Sequence, residues 1–221
     1  MDFLQKERYG IADLLAIVKV LRAPDGCPWD REQTHASIRK NLIEEANEVA
    51  DAIDRQDRGL RKGELGELLW QIALHTEMED EAGRFTFEDV CDGISKKLIS
   101  RHPHVFGDVK VDGSSQVLRN WEAIKNEEKG RVTAANRLDS VPASLPALMR
   151  AEKIQKRAAD FGFKYPGVDF VLADLTSEVA ELQLAFATGE DLLHEVGDVL
   201  FSAANAARFA GVDAEEALSQ S

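Results

Sequence analysis

The chain has 221 residues, 44% of them hydrophobic and 30% charged, the balance of a folded globular protein rather than a disordered one. Its net charge of -13 at pH 7 argues against broad binding to a nucleic-acid backbone, which needs basic surface. No apolar run approaches the roughly 20 residues that span a bilayer, and the N-terminus, Met1 to Glu7, lacks the apolar core of a signal peptide. Only Cys27 and Cys91 are present, too few for a disulfide framework, so a cytoplasmic protein is expected.

Helical periodicity runs through the chain. Ile11 to Leu21 is amphipathic and stops at Ala23-Pro24-Asp25-Gly26, a turn signal. A loop Gly26-Cys27-Pro28-Trp29-Asp30 follows, with Thr34 or Ser37 placed to cap the next segment. Helices are then expected over about 38–55 and 62–81, and from Phe87 to about Ser100 behind Thr86 as N-cap. Residues 107–114 are irregular, and a helix carrying Trp121 is expected from Ser115 to Lys129. Gly130, Pro142 and Pro146 mark 131–146 as a linker between an N-terminal half, 1–130, and a C-terminal half, 147–221. The second half reads as helices near 147–160, 168–187, 190–210 and 213–219. Strand alternation is nearly absent, so the fold class is all-α.

One acidic pattern occurs twice, 133 residues apart. Leu42-Ile-Glu-Glu45-Ala-Asn-Glu48 is followed by Gly63-Glu64-Leu-Gly-Glu67; Leu175-Thr-Ser-Glu178-Val-Ala-Glu181 is followed by His194-Glu195-Val-Gly-Asp198. At 100° per residue Leu42, Ala46, Val49 and Ile53 form an apolar stripe with Glu45 and Glu48 on one shoulder. Leu175, Val179, Leu182 and Phe186 repeat it around Glu178 and Glu181. In the partner helices Leu65, Leu68, Leu69 and Ile72, matched by Val196, Val199, Leu200 and Ala203, are expected to be the core face. Carboxylates three apart on a helix repel when no cation intervenes, whereas four from two helices suit a hard divalent cation such as Mg²⁺. A single ExxE is most often a solvated face; its recurrence with the same apolar register points to a metal-dependent enzyme acting on phosphates. Gly66 and Gly197 sit between the acids of the second element in both copies, where a helical glycine costs about 1 kcal/mol against alanine, which suggests close approach of a ligand or backbone.

Lys97 and Arg101, four apart on one helical face, are candidates to bind phosphate oxygens, against the plainer reading of a basic helix C-terminus. Trp29 is a candidate to stack on a base, though a Trp beside a Pro in a loop is more often a core plug. His102 and His104 only superficially resemble a metal pair, and His35, His75 and His194 are solitary in sequence. No P-loop motif occurs.

Several of these segments together resemble the MazG nucleoside triphosphate pyrophosphohydrolases. They are Gly26-Cys-Pro-Trp-Asp30, Glu44-Glu45-Ala-Asn-Glu48, Gly63-Glu-Leu-Gly-Glu67, Arg101-His-Pro-His-Val-Phe106, Trp121-Glu-Ala-Ile-Lys125, Ser144-Leu-Pro-Ala-Leu148 and Lys153-Ile-Gln-Lys-Arg157. The likeness covers nearly the whole chain. It implies an all-α protein of two related four-helix-type MazG repeats, paired as a homodimer. The implied activity is hydrolysis of (deoxy)nucleoside triphosphates to monophosphate and pyrophosphate with Mg²⁺, for which Mn²⁺ can substitute. Carried over position by position, the metal ligands would be Glu45, Glu48, Glu64 and Glu67 in the first repeat, and Glu178, Glu181, Glu195 and Asp198 in the second. Glu48 or Glu181 would act as general base, with Lys97, Arg101 and Trp29 binding substrate. Two departures stand out. Glu67 replaces the family's usual Asp, and the second repeat is expected to lack its last helix, which would carry the counterparts of Lys97 and Arg101. On that account the first repeat is expected to work and the second to turn over slowly. A narrower pyrophosphohydrolase, for phosphoribosyl-ATP or dUTP, and a non-catalytic metal-binding helical scaffold remain the alternatives.

Overall fold

The computed structural model describes residues 5–130 and 133–221. Residues 1–4, part of the N-terminus read for a leader, and 131–132, the start of the stretch read as a linker, lie outside the described residues. Among the described residues there are twelve α-helices and no strand, as the periodicity requires.

The chain forms two compact units, residues 1–110 and 111–221. The first holds α1 (Ile11–Arg22), α2 (Pro28–Glu32), α3 (Arg39–Asp54), α4 (Arg58–Glu81), α5 (Phe87–Arg101) and α6 (Pro103–Phe106). The second holds α7 (Ser114–Glu128), α8 (Ala134–Asp139), α9 (Ala147–Asp160), α10 (Val168–Thr188), α11 (Leu192–Ala210) and α12 (Ala214–Ser219). The helix α8 falls inside the 131–146 stretch and packs on α9. Thr133 caps it, its Oγ1 accepting from the Asn136 amide at 3.2 Å. The division between the units lies at Lys110 and Val111, in the irregular segment before α7.

In each unit one antiparallel-capable helix pair dominates the packing, α3 with α4 and α10 with α11. In the first, α1 and α5 also pack on α4; in the second, α9 and α12 pack on α11. Val18, Ile38, Ala73, Leu74 and Met78 form the first unit's core, closed by Leu14, Leu15 and Trp70. A smaller cluster of Ala151, Ala204 and Ala214, with Leu148 and Ala207, forms the second. Small side chains there let the helices approach closely but bury little apolar area.

Helix ends follow local chemistry. Thr86 starts α5 in a reciprocal capping box: its Oγ1 accepts from the Asp89 amide at 3.2 Å, and Asp89 Oδ2 accepts from the Thr86 amide at 2.8 Å. Asp57 starts α4 four residues ahead of the expected 62, accepting from the Gly59 and Leu60 amides at 2.8 and 3.0 Å. Thr34 and Ser37 do not cap α3. They exchange amide-to-hydroxyl bonds of 2.9 and 3.2 Å within the turn before it, and Ile38 takes the N-cap position.

The buried stripe differs from the expected one. Ala46, Ile53, Val179 and Phe186 are exposed. The side of α3 withdrawn from solvent runs Ile38, Leu42, Glu45, Val49, Ala52, and on α10 it runs Val171, Leu175, Glu178, Leu182, Ala185. Every member of the second set lies 133 residues after its counterpart, so the two pairs share one register. A glutamate stands in the middle of each buried stripe. Leu65, Leu69, Ile72, Val196 and Leu200, expected in the core, are also exposed, because α4 and α11 turn Glu64 and Glu195 inward instead.

Leu74 is almost fully buried where α1 meets α4. Leu74→Ala is expected to lower the stability of the first unit by about 2–5 kcal/mol, read as an earlier urea midpoint with helicity retained under native conditions.

Candidate metal centre

The inward glutamates put carboxylates from two helices into contact. Glu45 and Glu48 of α3 meet Glu64 of α4, one oxygen from each lying within 4.8 Å of the others. Glu178 and Glu181 of α10 meet Glu195 of α11 in the same way. In both trios the first and third acids are half-buried and the middle one, Glu48 or Glu181, is exposed. The geometry follows from helical spacing: residues three apart are neighbours on one face, and the tight helix pair supplies the third group.

The fourth acid of each set stands close enough to act on the trio electrostatically. Burial pushes the Glu45 carboxyl up, and the charges of Glu48, Glu67, Glu64 and Glu44 push the same way. Glu178 is raised by burial, then by Glu181, Asp198, Asp174 and Glu195. Glu64 is raised by burial, then by the charges of Glu48 and Glu67. Buried in the second trio, Glu195 Oε2 has no partner among the described residues.

An all-carboxylate donor set suits Mg²⁺ or Mn²⁺, which prefer hard oxygen ligands. The mutual repulsion and the orphaned Glu195 oxygen are what a cation would relieve, so the residues present fit a divalent ion.

The other sequence candidates are placed as follows. Lys97 and Arg101 stand on α5, which packs on α4; Lys97 is exposed and Arg101 buried. Trp29 is not a core plug: it is 53% exposed on the short helix α2. A Cβ built on Gly66 or Gly197 meets no atom within 4 Å, so neither glycine is demanded by crowding within the described chain. Cys27 is half-buried and Cys91 exposed, both as free thiols.

Three features escaped the sequence. His35 and His75, 40 residues apart, stack with ring centroids 5.1 Å apart, and their Nδ1 atoms lie 2.8 Å from each other. His35 Nε2 also meets Glu79 Oε1 at 2.8 Å. His194 pairs with Asp198 across one helical turn at 3.3 Å. Beside the second trio, a cavity of about 300 Å³ includes Glu178, Asp198, Asp174, Gln155, Asn205 and Arg208 in its lining. The cavity draws residues from α9, α10 and α11, and no spacing within one helix announces it.

Comparison with known proteins bears on the same residues. The family model described as MazG nucleotide pyrophosphohydrolase domain matches residues 33–106, which span the first acid set together with Lys97 and Arg101. The chain is 48% identical over 210 residues to the nucleoside triphosphate pyrophosphohydrolase of Escherichia coli (strain K12), covering 93% of this chain and 80% of that protein. It is 41% identical over 206 residues to the nucleoside triphosphate pyrophosphohydrolase/pyrophosphatase MazG of Thermotoga maritima, covering 93% and 78%. The protein YabN of Bacillus subtilis (strain 168) is 44% identical over 206 residues, covering 92% of this chain and 42% of YabN.

The raised carboxyls carry a testable consequence. The folded chain holds these protons to higher pH than the unfolded chain does. Without a cation it therefore loses stability as pH rises through the carboxylate range. Glu45→Gln or Glu178→Gln should raise the metal-free melting temperature slightly at pH 7, since a like-charge pair at helical spacing costs roughly 0.2–0.5 kcal/mol. Mg²⁺ should stabilise the unsubstituted chain, by about 2.7 kcal/mol at 100 times its Kd, and the Gln variants less. Thermal melts with EDTA and with Mg²⁺ measure both effects.

Proposed function

The chain belongs to the MazG nucleotide pyrophosphohydrolase family, and from that premise we propose that it hydrolyses nucleoside and deoxynucleoside triphosphates to monophosphate and pyrophosphate with Mg²⁺ or Mn²⁺. The observation that carries this reading is the repeated trio of convergent carboxylates, each built from two half-buried glutamates and one exposed glutamate. Glu45, Glu48, Glu64 and Glu67 would hold the cation in the first unit, and Glu178, Glu181, Glu195 and Asp198 in the second. Bound there, it supplies positive charge for the phosphoryl oxygens and a lowered pKa for water.

The residues divide the remaining work. A water attacks the α-phosphorus in line, its oxygen forms the new P–O bond, and the bond to the departing pyrophosphate breaks. Glu181, the exposed acid of its trio, takes the water's proton as general base, and Glu48 has the same role in the first unit. Lys97 and Arg101 bind the pyrophosphate oxygens in the first unit. The exposed indole of Trp29 offers a base a face to stack on. The sequence expectation put turnover in the first unit, on Lys97 and Arg101. The cavity opening beside Glu178 and Asp198 leads us to put it in the second.

Stripes of exposed apolar residues accompany the acid helices, Leu65, Leu69 and Ile72 on α4, Ile94 and Leu98 on α5, and Val196 and Leu200 on α11. We take a second copy to cover them, giving a homodimer. Light scattering at micromolar concentration should return twice the chain mass of 24.5 kDa; a monomer refutes the pairing. No helix among the described residues is long and apolar enough to cross a membrane. The free thiols fit a reducing compartment, the cytoplasm.

The activity test is product analysis after incubation with each NTP, each dNTP, dUTP and phosphoribosyl-ATP. Monophosphate and pyrophosphate from several triphosphates are expected, and none in excess EDTA. Turnover of one substrate alone would replace the broad reading with a narrower enzyme, and absence of turnover with Mg²⁺ would leave a scaffold. Glu195→Gln should lower pyrophosphate release about 10²–10³-fold, the usual effect of losing one electrostatic group at a phosphoryl or acyl centre, with a smaller loss for Glu64→Gln. The reverse ranking moves turnover to the first unit.

A further inference from the structure

On α11, Asp198, Ser202, Asn205 and Arg208 follow one another at helical spacing and all line the same cavity. The ten residue steps from Asp198 to Arg208 rise about 15 Å, so the cavity runs as a groove from the acid cluster to a guanidinium. Its floor is polar and deeply withdrawn: Gln155, Ser202 and Asn205 are each more than nine-tenths buried. Aromatic side chains of Phe163, Tyr165 and Phe201 stand along it. A volume of about 300 Å³ lies at the small end of the range for ligand sites.

The polar groups of the groove are almost all spoken for. Ser202 Oγ donates to Asp174 Oδ2 at 2.6 Å. Asn205 Oδ1 accepts from Arg208 Nε at 3.2 Å and from its terminal nitrogen at 2.7 Å. Gln155 Nε2 donates to the Phe201 carbonyl at 2.7 Å. A carbonyl only accepts, so that bond fixes which end of the amide is nitrogen. Gln155 Oε1 is left buried, with no partner among the described residues. Leaving a buried acceptor unpaired is costly. The groove therefore asks for a flat ligand that brings an N–H donor to Gln155 and a chain of negative charge toward the acids and their cation.

We propose that this groove receives the base of a nucleotide whose phosphates lie at the second acid cluster, and that Gln155 Oε1 accepts a hydrogen bond from the base's exocyclic amino group. The base lies among Phe163, Tyr165 and Phe201, and Gln155 is a specificity-determining residue. The proposal rests on reading Glu178, Glu181, Glu195 and Asp198 as the phosphate and cation site, but it requires no turnover.

Photoaffinity labelling with 8-azido-ATP in Ca²⁺ tests it, with sites mapped after trypsin digestion. The label is expected on Ala158–Lys164 or on the fragment beginning at Tyr165. ATP should displace it at roughly tenfold lower concentration than purine riboside triphosphate, which lacks the amino group, the ratio one buried hydrogen bond provides. Gln155→Met should bring the two competitors together. Because that substitution also removes the bond to the Phe201 carbonyl, its melting temperature is measured alongside. Phe163→Ala supplies a second arm. Phe163 is 76% exposed, so its truncation spares the core, and labelling should fall ~fivefold or more through lost stacking. Label confined to other segments, equal competition in the unsubstituted chain, or unchanged discrimination in a folded Gln155→Met each overturns the proposal. Pyrophosphate release is assayed separately with Mg²⁺. Its absence alongside intact, Gln155-dependent labelling would discard the hydrolase reading and keep the base site.

Discussion

A glutamate at the centre of a helix–helix contact is the constraint on which the rest depends. In each unit the packing stripe of one helix reads apolar, apolar, glutamate, apolar, alanine, and the acid cannot leave because its neighbours on the stripe are the ones buried. Withdrawing a carboxylate from water is unfavourable unless it is paired. Here the nearest charges are other carboxylates, and the effect is to raise Glu45, Glu64 and Glu178 together. A hydrophobic residue at those positions would pack with less conflict. The arrangement makes physical sense as a preorganised set of oxygen donors, whose repulsion is balanced once a divalent ion arrives.

That constraint also shapes what lies outside each pair. Turning Glu64 and Glu195 inward rotates α4 and α11 so that Leu65, Leu69, Val196 and Leu200 face outward. Apolar side chains that would have formed a core become surface. The second unit pays most heavily in cohesion, since its buried cluster is built of alanines. Apolar surface and acid clusters are therefore two results of one rotation, and the same helices that hold the donors supply the faces a second copy would cover.

The helices were legible because periodicity and capping are local: Thr86 begins α5 where its box with Asp89 requires, and α9, α10 and α12 fall close to their expected limits. The acid trios were legible because the pattern occurs twice. The phase of the stripe was not, since Leu42 with Val49 supports either Ala46 and Ile53 or Glu45 and Ala52 as companions, and hydrophobicity alone favours the wrong set. Only the packing partner decides. Asp57 as the cap of α4 was missed because Gln56-Asp57-Arg58 carries no apolar neighbour to mark a boundary. The His35–His75 stack and the Gln155 groove join residues 40 and more positions apart, and nothing local signals such a meeting.

Register explains why the groove belongs to one unit only. Counting along α4 and α11 from Glu64 and Glu195, Trp70 corresponds to Phe201, Gln71 to Ser202, Leu74 to Asn205 and Glu77 to Arg208. In the first unit Leu74 is buried against Val18 and its neighbours, so the space is filled by core. At the matching place the second unit puts Asn205, held by Arg208, and the space stays open. The swap exchanges apolar burial for polar recognition at one position of a shared scaffold. It lets two nearly identical acid clusters differ in what they admit: a filled core limits the first to contacts from loops or a partner chain, whereas the second carries its own recess for a base. Nearly identical donor sets then do not imply identical sites, because residues one and two helical turns farther along the same helix decide whether the recess lined by Gln155 is open.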